Sequence, residues 1–188
     1  MQRSLTIASH WLSGIRQRLS PNHDVRPPGI QPELIVLHCI SLPPGQFGGH
    51  HIESLFLNQL DAAAHPAFAD LDGLRVSAHL LIRRDGTVTQ FVPFDRVAWH
   101  AGVSCWRGRE GCNAFSVGIE LEGADQTPYE RVQYQVLAQV IHALRAAYPS
   151  LADAEIVGHC DIAPGRKTDP GPAFDWLYFQ QVLATGAG

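Results

Sequence analysis

The sequence predicts a single α/β domain in which a central mixed β-sheet is flanked by helices. Three observations support this prediction. The chain has 188 residues and is 45% apolar, which suffices for one domain with a substantial core. Strand-like apolar runs alternate with helical patterns along it. No internal repeat, low-complexity tract or long linker divides it, so we treat 1–188 as one unit with a core of about 11–183 and loose ends.

Four segments have the pattern of strands. ELIVLHC, residues 33–39, is a continuous apolar run rich in branched residues, which is typical of a buried strand. Residues 76–94 contain two strand-like runs around an Asp-Gly pair, a strong hairpin signal. FSVGIELEG, residues 115–123, alternates as a strand does. AEIVGHC, residues 154–160, predicts a short strand that leads into a polar loop.

Helices are predicted between and after these strands. A Pro/Gly loop precedes a short helix around 52–60. The clearest helix should begin at Thr127 as N-cap, with Pro128 in the first helical position and Glu130 completing a capping box. Its apolar face should pack on the sheet. The residues of that face are Val132, Val136, Leu137, Val140, Ile141 and Leu144. A last helix is predicted over 173–183.

The composition argues against several classes of protein. A formal net charge of −4 is unlike the basic footprint of a general nucleic-acid binder. No segment approaches the roughly 20 apolar residues of a membrane span. The first twenty residues make a poor signal peptide, because Ser9 and His10 interrupt the apolar stretch. We therefore expect a cytoplasmic protein with its four cysteines reduced.

Three residues that divalent metals bind lie at strand ends or on a stiff loop. His38 ends the apolar strand LIVLH, His159 ends EIVGH, and Asp169 follows on a loop stiffened by prolines. Two imidazoles and a carboxylate suit Zn²⁺ and leave a fourth position for water. From spacing alone, an alternative stays open: both histidines are hydrogen-bonded core residues and the aspartate caps a turn.

Two cysteines directly follow the two histidines. Neighbouring side chains on a strand point to opposite faces, so Cys39 and Cys160 should turn away from His38 and His159. A thiol or serine hydrolase would need a nucleophile beside a base. No G-x-S-x-G motif occurs, and Cys39 is not expected to face the imidazole. This class of enzyme is therefore disfavoured.

Other polar residues have structural readings when taken alone. Glu120 and Glu122 alternate with apolar neighbours and by pattern would lie on the wet face of a strand. Lys167 would be a solvated charge. His79, within SAHLLI, is expected to be a packed residue of the sheet.

Four motifs carry a resemblance to a known family. They are HCISLPPGQFGG, LRVSAHLLIRRDGTVTQFVPFDRVAWHAGVS, FSVGIELEG and GHCDIAPGRKTDPGPAFDW. From about Trp11 to Phe179 the chain resembles the zinc N-acetylmuramoyl-L-alanine amidases, relatives of phage T7 lysozyme and the peptidoglycan recognition proteins. The resemblance implies a central mixed sheet with one Zn²⁺ at its end. It also implies hydrolysis of the amide between the lactyl group of 1,6-anhydro-N-acetylmuramic acid and L-alanine, in cell-wall recycling.

The resemblance implies roles for individual residues. Three stand where the family places its zinc ligands: His38, His159 and Asp169. Glu120 stands at the position of the catalytic acid/base, and Lys167 at that of a cation facing the reacting carbonyl. Four more match positions near the substrate: Cys39, Arg75, Trp99 and His100.

The chain departs from the family pattern at four positions: Cys39, Ala67, Gly111 and Gly165. Cys39 replaces an asparagine whose amide could contact substrate. None of the four is a metal ligand or part of the acid/base pair. The departures would therefore change the affinity for substrate and not the catalytic chemistry.

The implied partner is a small muropeptide, with no nucleic acid, membrane or obligate protein partner expected. Two other interpretations stay open. One is a non-catalytic peptidoglycan-binding module of the same fold, which the full set of ligand and acid/base positions disfavours. The other is an amidase that acts on intact, exported cell wall. Whether residues 41–74 form a fixed wall or a mobile lid is also open.

Overall fold

The computed structural model describes residues 5–186. Of the ends that we expected to be loose, 1–4 and 187–188 lie outside the described residues, whereas 5–10 and 184–186 are described and include a short strand and the end of the last helix. Its strands are β1 Ile7–Ala8, β2 Trp11–Leu12, β3 Arg16–Gln17, β4 His23–Val25, β5 Leu34–Ile40, β6 Leu80–Ile82, β7 Val88–Gln90, β8 Arg96–Ala98, β9 Cys105–Trp106, β10 Arg109–Glu110, β11 Ser116–Glu122 and β12 Glu155–Gly158. Its α-helices are α1 His51–Phe56, α2 Arg131–Ala147, α3 His159–Ile162 and α4 Trp176–Thr185. Short 3₁₀ segments cover Ala62–Ala64, Pro66–Leu71, Cys112–Phe115 and Pro149–Leu151.

A six-stranded mixed sheet organises the domain, as predicted. The strand order is β12-β5-β11-β6-β7-β3. Strands β12, β5, β11 and β6 run parallel, β6 and β7 form the predicted antiparallel hairpin, and β3 pairs parallel with β7 at the edge. The short strands β1 to β4 near the N-terminus were not predicted, because two or three residues are too few to show a period.

The two faces of β5 and β11 are covered by different parts of the chain. Ile35, Leu37 and the alternate residues of β11 pack with α2 and α4 in one core cluster. The opposite face meets α1, the 3₁₀ segments Pro66–Leu71 and Cys112–Phe115, and the loops that lead to β8 and β9. Because both faces are covered, every residue of β11 is buried. The prediction that Glu120 and Glu122 lie on a solvent-exposed face of β11 is therefore wrong, since their exposures are 9% and 2%.

The start of α2 is three residues later than predicted. Its N-cap is Glu130, whose backbone N–H donates to Gln133 Oε1 at 3.0 Å. Thr127 instead pairs with Ala124 in an isolated bridge. The predicted apolar face holds, with Leu137 and Val140 fully buried. The last helix also begins later, at Trp176, behind an Asp175 side chain that accepts from Tyr178 N.

The end of β12 corrects one prediction about the site. The strand stops at Gly158, and His159 is the first residue of α3. Strand alternation therefore does not govern Cys160. It does govern Cys39 on β5, which packs toward the α2 side of the sheet. All four cysteines are free thiols. Of the helices within 5–186, none has the length and apolar composition that a bilayer crossing needs.

Candidate active site

Neighbouring strand ends bring the polar side chains together. His38 on β5 and Glu120 on β11 are direct partners in the parallel register. Gly158 of β12 pairs with Leu37, so His159 follows at the level of His38. The backbone N–H of Cys160 donates to Asp169 O at 3.0 Å, which ties the polar loop to the start of α3.

The three candidate ligand residues meet at one point. His38 Nδ1 lies 2.9 Å from His159 Nδ1, and each of these nitrogens lies 3.1 Å from Asp169 Oδ2. Both histidines are buried, and the aspartate side chain is 14% exposed. The donor atoms of a tetrahedral zinc site with bonds of about 2.0–2.1 Å are separated by roughly 3.3 Å. The observed triangle is close to that size.

The chemistry of these donors fits a cation. His159 Nε2 lies 3.0 Å from Ala101 O, and a carbonyl can only accept, so Nε2 is the protonated nitrogen of the ring. In the neutral ring, Nδ1 is then a bare lone pair directed at His38 Nδ1 and the Asp169 carboxylate. His38 Nε2 lies 2.8 Å from His100 Nδ1, and with the ring proton on Nε2 the His38 Nδ1 is also a lone pair. Three electron-rich atoms at this spacing repel one another unless a positive ion lies between them. The residues present therefore fit Zn²⁺.

The charge states of the site agree with this fit. Burial above all lowers the pKa of His38 to about 4, which keeps the imidazole neutral near pH 7. Burial alone would raise the pKa of Asp169, yet that pKa is lowered in the presence of His159 and His38, so the carboxyl is ionised near pH 7. A neutral imidazole and an ionised carboxylate are the forms in which these residues bind metal.

Glu120 is buried beside the ligand triangle without a fixed partner for one oxygen. Its Oε2 is a buried atom with no hydrogen bond. Burial raises the pKa of Glu120 well above its usual value, and Asp169 raises it further, while Lys167 acts in the opposite direction. Burying a carboxyl oxygen without a hydrogen bond lowers the stability of the folded state. Such a group is a candidate for proton transfer.

Lys167 is the only lysine in a chain that otherwise uses arginine for its cations. It is exposed, and it lines the cleft together with His38, Glu120, His159 and Asp169. Within 5–186, the structure gives its side chain no hydrogen bond or ion pair. The ammonium group is therefore free to meet a ligand in the cleft.

The cleft over these residues has a volume of about 240 Å³ and an apolar side. That side is formed by Ile40, Leu42, Leu55, Phe56, Leu71, Leu74 and Val76. Trp99 lies at its edge, and its indole Nε1 donates to Asp24 Oδ2 at 2.7 Å. A separate hollow of about 450 Å³ lies between 102–105 and 162–166 and includes neither ligand histidine.

The predicted substrate contacts differ in where they lie. Trp99 and Cys39 border the cleft, with Cys39 Sγ 3.4 Å from Asp125 Oδ1. Burial above all raises the pKa of the Cys39 thiol. Arg75 is exposed and is not among the residues that line the cleft, although its neighbours on both sides are. His100 also lines the cleft, although it is buried, and its Nδ1 lies 2.8 Å from His38 Nε2.

Three of the departures lie away from the ligand triangle. Gly111 and Gly165 have φ of +71° and +77°, a left-handed conformation that glycine adopts without strain. Gly111 borders the separate hollow. Ala67 lies in the 3₁₀ segment Pro66–Leu71. None of the three lines the cleft.

Two arginines that hold the site together have no signal in the local sequence. Arg166 donates to Ala101 O and to Val103 O, each at 2.6 Å, and so ties the polar loop to the segment after Trp99. Arg83 donates to Glu122 and to Glu53 and links the hairpin to α1. Both arginines bond groups that are far away in the chain, so no local sequence pattern predicts their roles.

Comparison with known proteins places this geometry in a family. The family model described as N-acetylmuramoyl-L-alanine amidase matches residues 28–172. The 1,6-anhydro-N-acetylmuramyl-L-alanine amidase AmpD of Escherichia coli is 58% identical over 93% of this chain and 94% of its own. A crystal structure of a selenomethionine AmpD derivative superposes with a TM-score of 0.91 at 55% identity, covering 94% of this chain and 98% of the other. AmpDh3 from Pseudomonas aeruginosa, in complex with anhydromuramic pentapeptide, superposes with a TM-score of 0.59 at 30% identity, covering 83% and 61%.

The model match, the identity over most of both chains and the shared fold agree with the motifs of the sequence. This chain belongs to the N-acetylmuramoyl-L-alanine amidase family.

Proposed function

We propose that the protein is a zinc-dependent amidase of cell-wall recycling. Its reaction is hydrolysis of the amide between the lactyl group of 1,6-anhydro-N-acetylmuramic acid and L-alanine of a small muropeptide. One observation supports the proposal above others: the ligand atoms of His38, His159 and Asp169 converge beside the buried, unpartnered oxygen of Glu120. The names of the similar AmpD proteins support the choice of substrate.

The residues that would hold the zinc ion are His38, His159 and Asp169. When bound, zinc supplies a Lewis acid for the amide carbonyl and lowers the pKa of water toward about 7. Glu120 takes a proton from the attacking water at Oε2, which has no hydrogen-bond partner in the protein. It then passes that proton to the alanine nitrogen as the C–N bond breaks. The products are a carboxylate on the lactyl group and a free amine on the peptide.

Lys167 offsets the negative charge that develops on the carbonyl oxygen. This interaction strengthens as the tetrahedral centre forms, so it stabilises the transition state more than the bound substrate. The apolar side of the cleft and Trp99 would receive the sugar and lactyl groups, since aromatic faces suit apolar ring surfaces. Contacts of Cys39 and Arg75 with substrate stay predictions.

The test compares Glu120→Gln with a matched control on the same strand. Glu120→Gln should bind one zinc ion and fold normally, while kcat falls by roughly 10²–10⁴. Glu122→Gln changes the same chemical group two residues away, where the carboxylate bonds Arg83 rather than facing the cleft. It should keep most of the activity. Product release from anhydromuropeptide is followed by mass spectrometry, with and without a chelator.

The outcomes separate the alternatives. If Glu120→Gln retains more than about a tenth of the wild-type rate, Glu120 is not the acid/base group. If zinc-loaded wild type binds anhydromuropeptide without releasing peptide, the chain is a binding module. If it cleaves whole sacculi faster than soluble anhydromuropeptide, the exported-wall interpretation replaces recycling.

We also place the reaction in the cytoplasm. Free thiols, including the exposed Cys105, suit a reducing compartment. Fractionation of cells beside periplasmic and cytoplasmic marker enzymes tests this placement, and recovery with the periplasmic marker would contradict it.

A further inference from the structure

Both ligand imidazoles are hydrogen-bonded through their second nitrogen to one segment, His100–Ala101. His38 Nε2 lies 2.8 Å from His100 Nδ1, and His159 Nε2 lies 3.0 Å from Ala101 O. We propose that His100 is a positioning residue, which orients the metal ligand His38 and selects its tautomer, and that it is not a substrate contact. This inference rests on the proposed zinc site.

The direction of each hydrogen bond around His100 follows from its partners. Ser116 Oγ lies 2.6 Å from Cys112 O, and because a carbonyl can only accept, the serine hydroxyl donates there. Ser116 Oγ therefore accepts from His100 Nε2, at 3.0 Å. In the neutral His100 ring, Nδ1 is then an acceptor, and it receives the proton of His38 Nε2.

The chain of bonds ends at the metal. With its proton on Nε2, the neutral His38 ring has a lone pair on Nδ1, directed at His159 Nδ1 and Asp169 Oδ2. The orientation of a ligand imidazole and its tautomer are usually set by such an outer hydrogen bond. For His38 this outer partner is the imidazole of His100, where a carboxylate or carbonyl is more usual. For His159 the outer partner is the carbonyl oxygen of Ala101.

His100 lines the cleft, but both of its ring nitrogens are bonded within the protein and its surroundings hold the ring in place. Asn113 Oδ1 accepts from the backbone N–H groups of His100 and Ala101, at 3.1 and 2.7 Å. The ring lies against Gly118 of β11, where a Cβ would be only 2.3 Å from His100 Cγ. The glycine is thus required by the close approach of the imidazole. A ring held on three sides cannot turn toward a substrate without losing its bonds.

The experiment measures zinc affinity by chelator competition on metal-free protein. His100→Phe keeps a ring but removes the acceptor, so zinc should bind about 10–100-fold more weakly than to wild type. His100→Asn places an amide oxygen near the Nδ1 position and should bind zinc more tightly than His100→Phe. The Co²⁺-substituted His100→Phe protein should show a changed visible spectrum.

A matched control separates this role from general damage to the core. His79 is a second fully buried histidine near His100, with a ring-centroid distance of 6.0 Å. It bonds Gly118 N and Arg96 O and touches no ligand. His79→Phe should lower Tm and leave the zinc affinity unchanged. If His100→Phe does not fold, Ser116→Ala is the second variant, because it keeps the His100 ring and removes only the acceptor of His100 Nε2. It should weaken zinc binding, by less than the factor of about 10–100 expected for His100→Phe.

Each result decides one question. Zinc affinity unchanged in every folded variant of His100 and Ser116 overturns the inference while the proposed function stands. A raised KM of His100→Phe at full zinc occupancy returns His100 to the substrate contacts and also overturns it. Wild type that binds no zinc overturns the proposed function together with the inference. A weakened affinity, with KM unchanged at saturating zinc, supports it.

Discussion

Replacing Arg83 by methionine should destabilise the protein and loosen one wall of the cleft. Arg83 Nη1 donates to Glu122 Oε1 at 3.1 Å and to Gly49 O at 2.9 Å, and Nη2 donates to Glu53 Oε1 at 3.2 Å. The side chains of Arg83, Glu122 and Glu53 are only 14%, 2% and 9% exposed. Glu53 lies on α1, whose Leu55 and Phe56 line the cleft.

The loss of unfolding free energy in Arg83→Met depends on how far the carboxylates of Glu122 and Glu53 are left unpaired. Removing one partner of a buried ion pair costs about 3–5 kcal/mol because the other charge is left without compensation. Here Glu122 keeps bonds from Gly48 N and Arg84 N, and Glu53 keeps one from Arg16. We therefore expect the lower end, about 3 kcal/mol. For a domain of this size that corresponds to a fall in Tm of roughly 6–12 °C.

The assay is urea unfolding of a double-mutant cycle. Arg83→Met, Glu122→Gln and the double variant are compared with wild type at pH 7. The double variant should be less destabilised than the sum of the single changes, because no buried carboxylate loses its only cation. Amide exchange in residues 48–56 should be faster in Arg83→Met. A single variant within about 0.5 kcal/mol of wild type would refute the reasoning, since that is the range of ordinary surface changes.

Three further predictions concern the site. Gly118→Ala should cost about 1–3 kcal/mol and weaken zinc binding, because its Cβ would overlap His100, whereas Gly49→Ala, whose nearest contact is 3.6 Å, should be nearly neutral in urea unfolding. Lys167→Met should lower kcat by about 10²-fold or more with zinc content and Tm unchanged, and Lys167→Arg should retain more activity; equal rates for the two variants would argue against a role for the charge. Iodoacetamide at pH 7.5 should label the exposed Cys105 well before Cys39, whose pKa burial raises, and activity should survive the first labelling; fast labelling at Cys39 with loss of turnover would reopen the thiol-hydrolase interpretation.

Much of the fold could be predicted from local patterns. The apolar run of β5, the alternation of β11 and the Asp-Gly hairpin between β6 and β7 were all predicted, and the structure contains them. The start of α2 was wrong because two adjacent segments offered capping chemistry. The structure uses Glu130 with Gln133, and it pairs Thr127 with Ala124. Local propensity could not choose between them, since the choice depends on where the preceding loop packs.

The sequence by itself determined the strands, the stiff polar loop and the residue types that suit zinc, because strand periodicity and ligand chemistry are properties of short segments. Only the tertiary structure decided that Glu120 and Glu122 are buried, since their alternation is the same whether water or another layer of chain covers that face. It also decided that His100 contacts a ligand histidine, through bonds that join residues 62 positions apart in the chain. Contacts between distant segments depend on how the layers pack, and no local pattern records that packing.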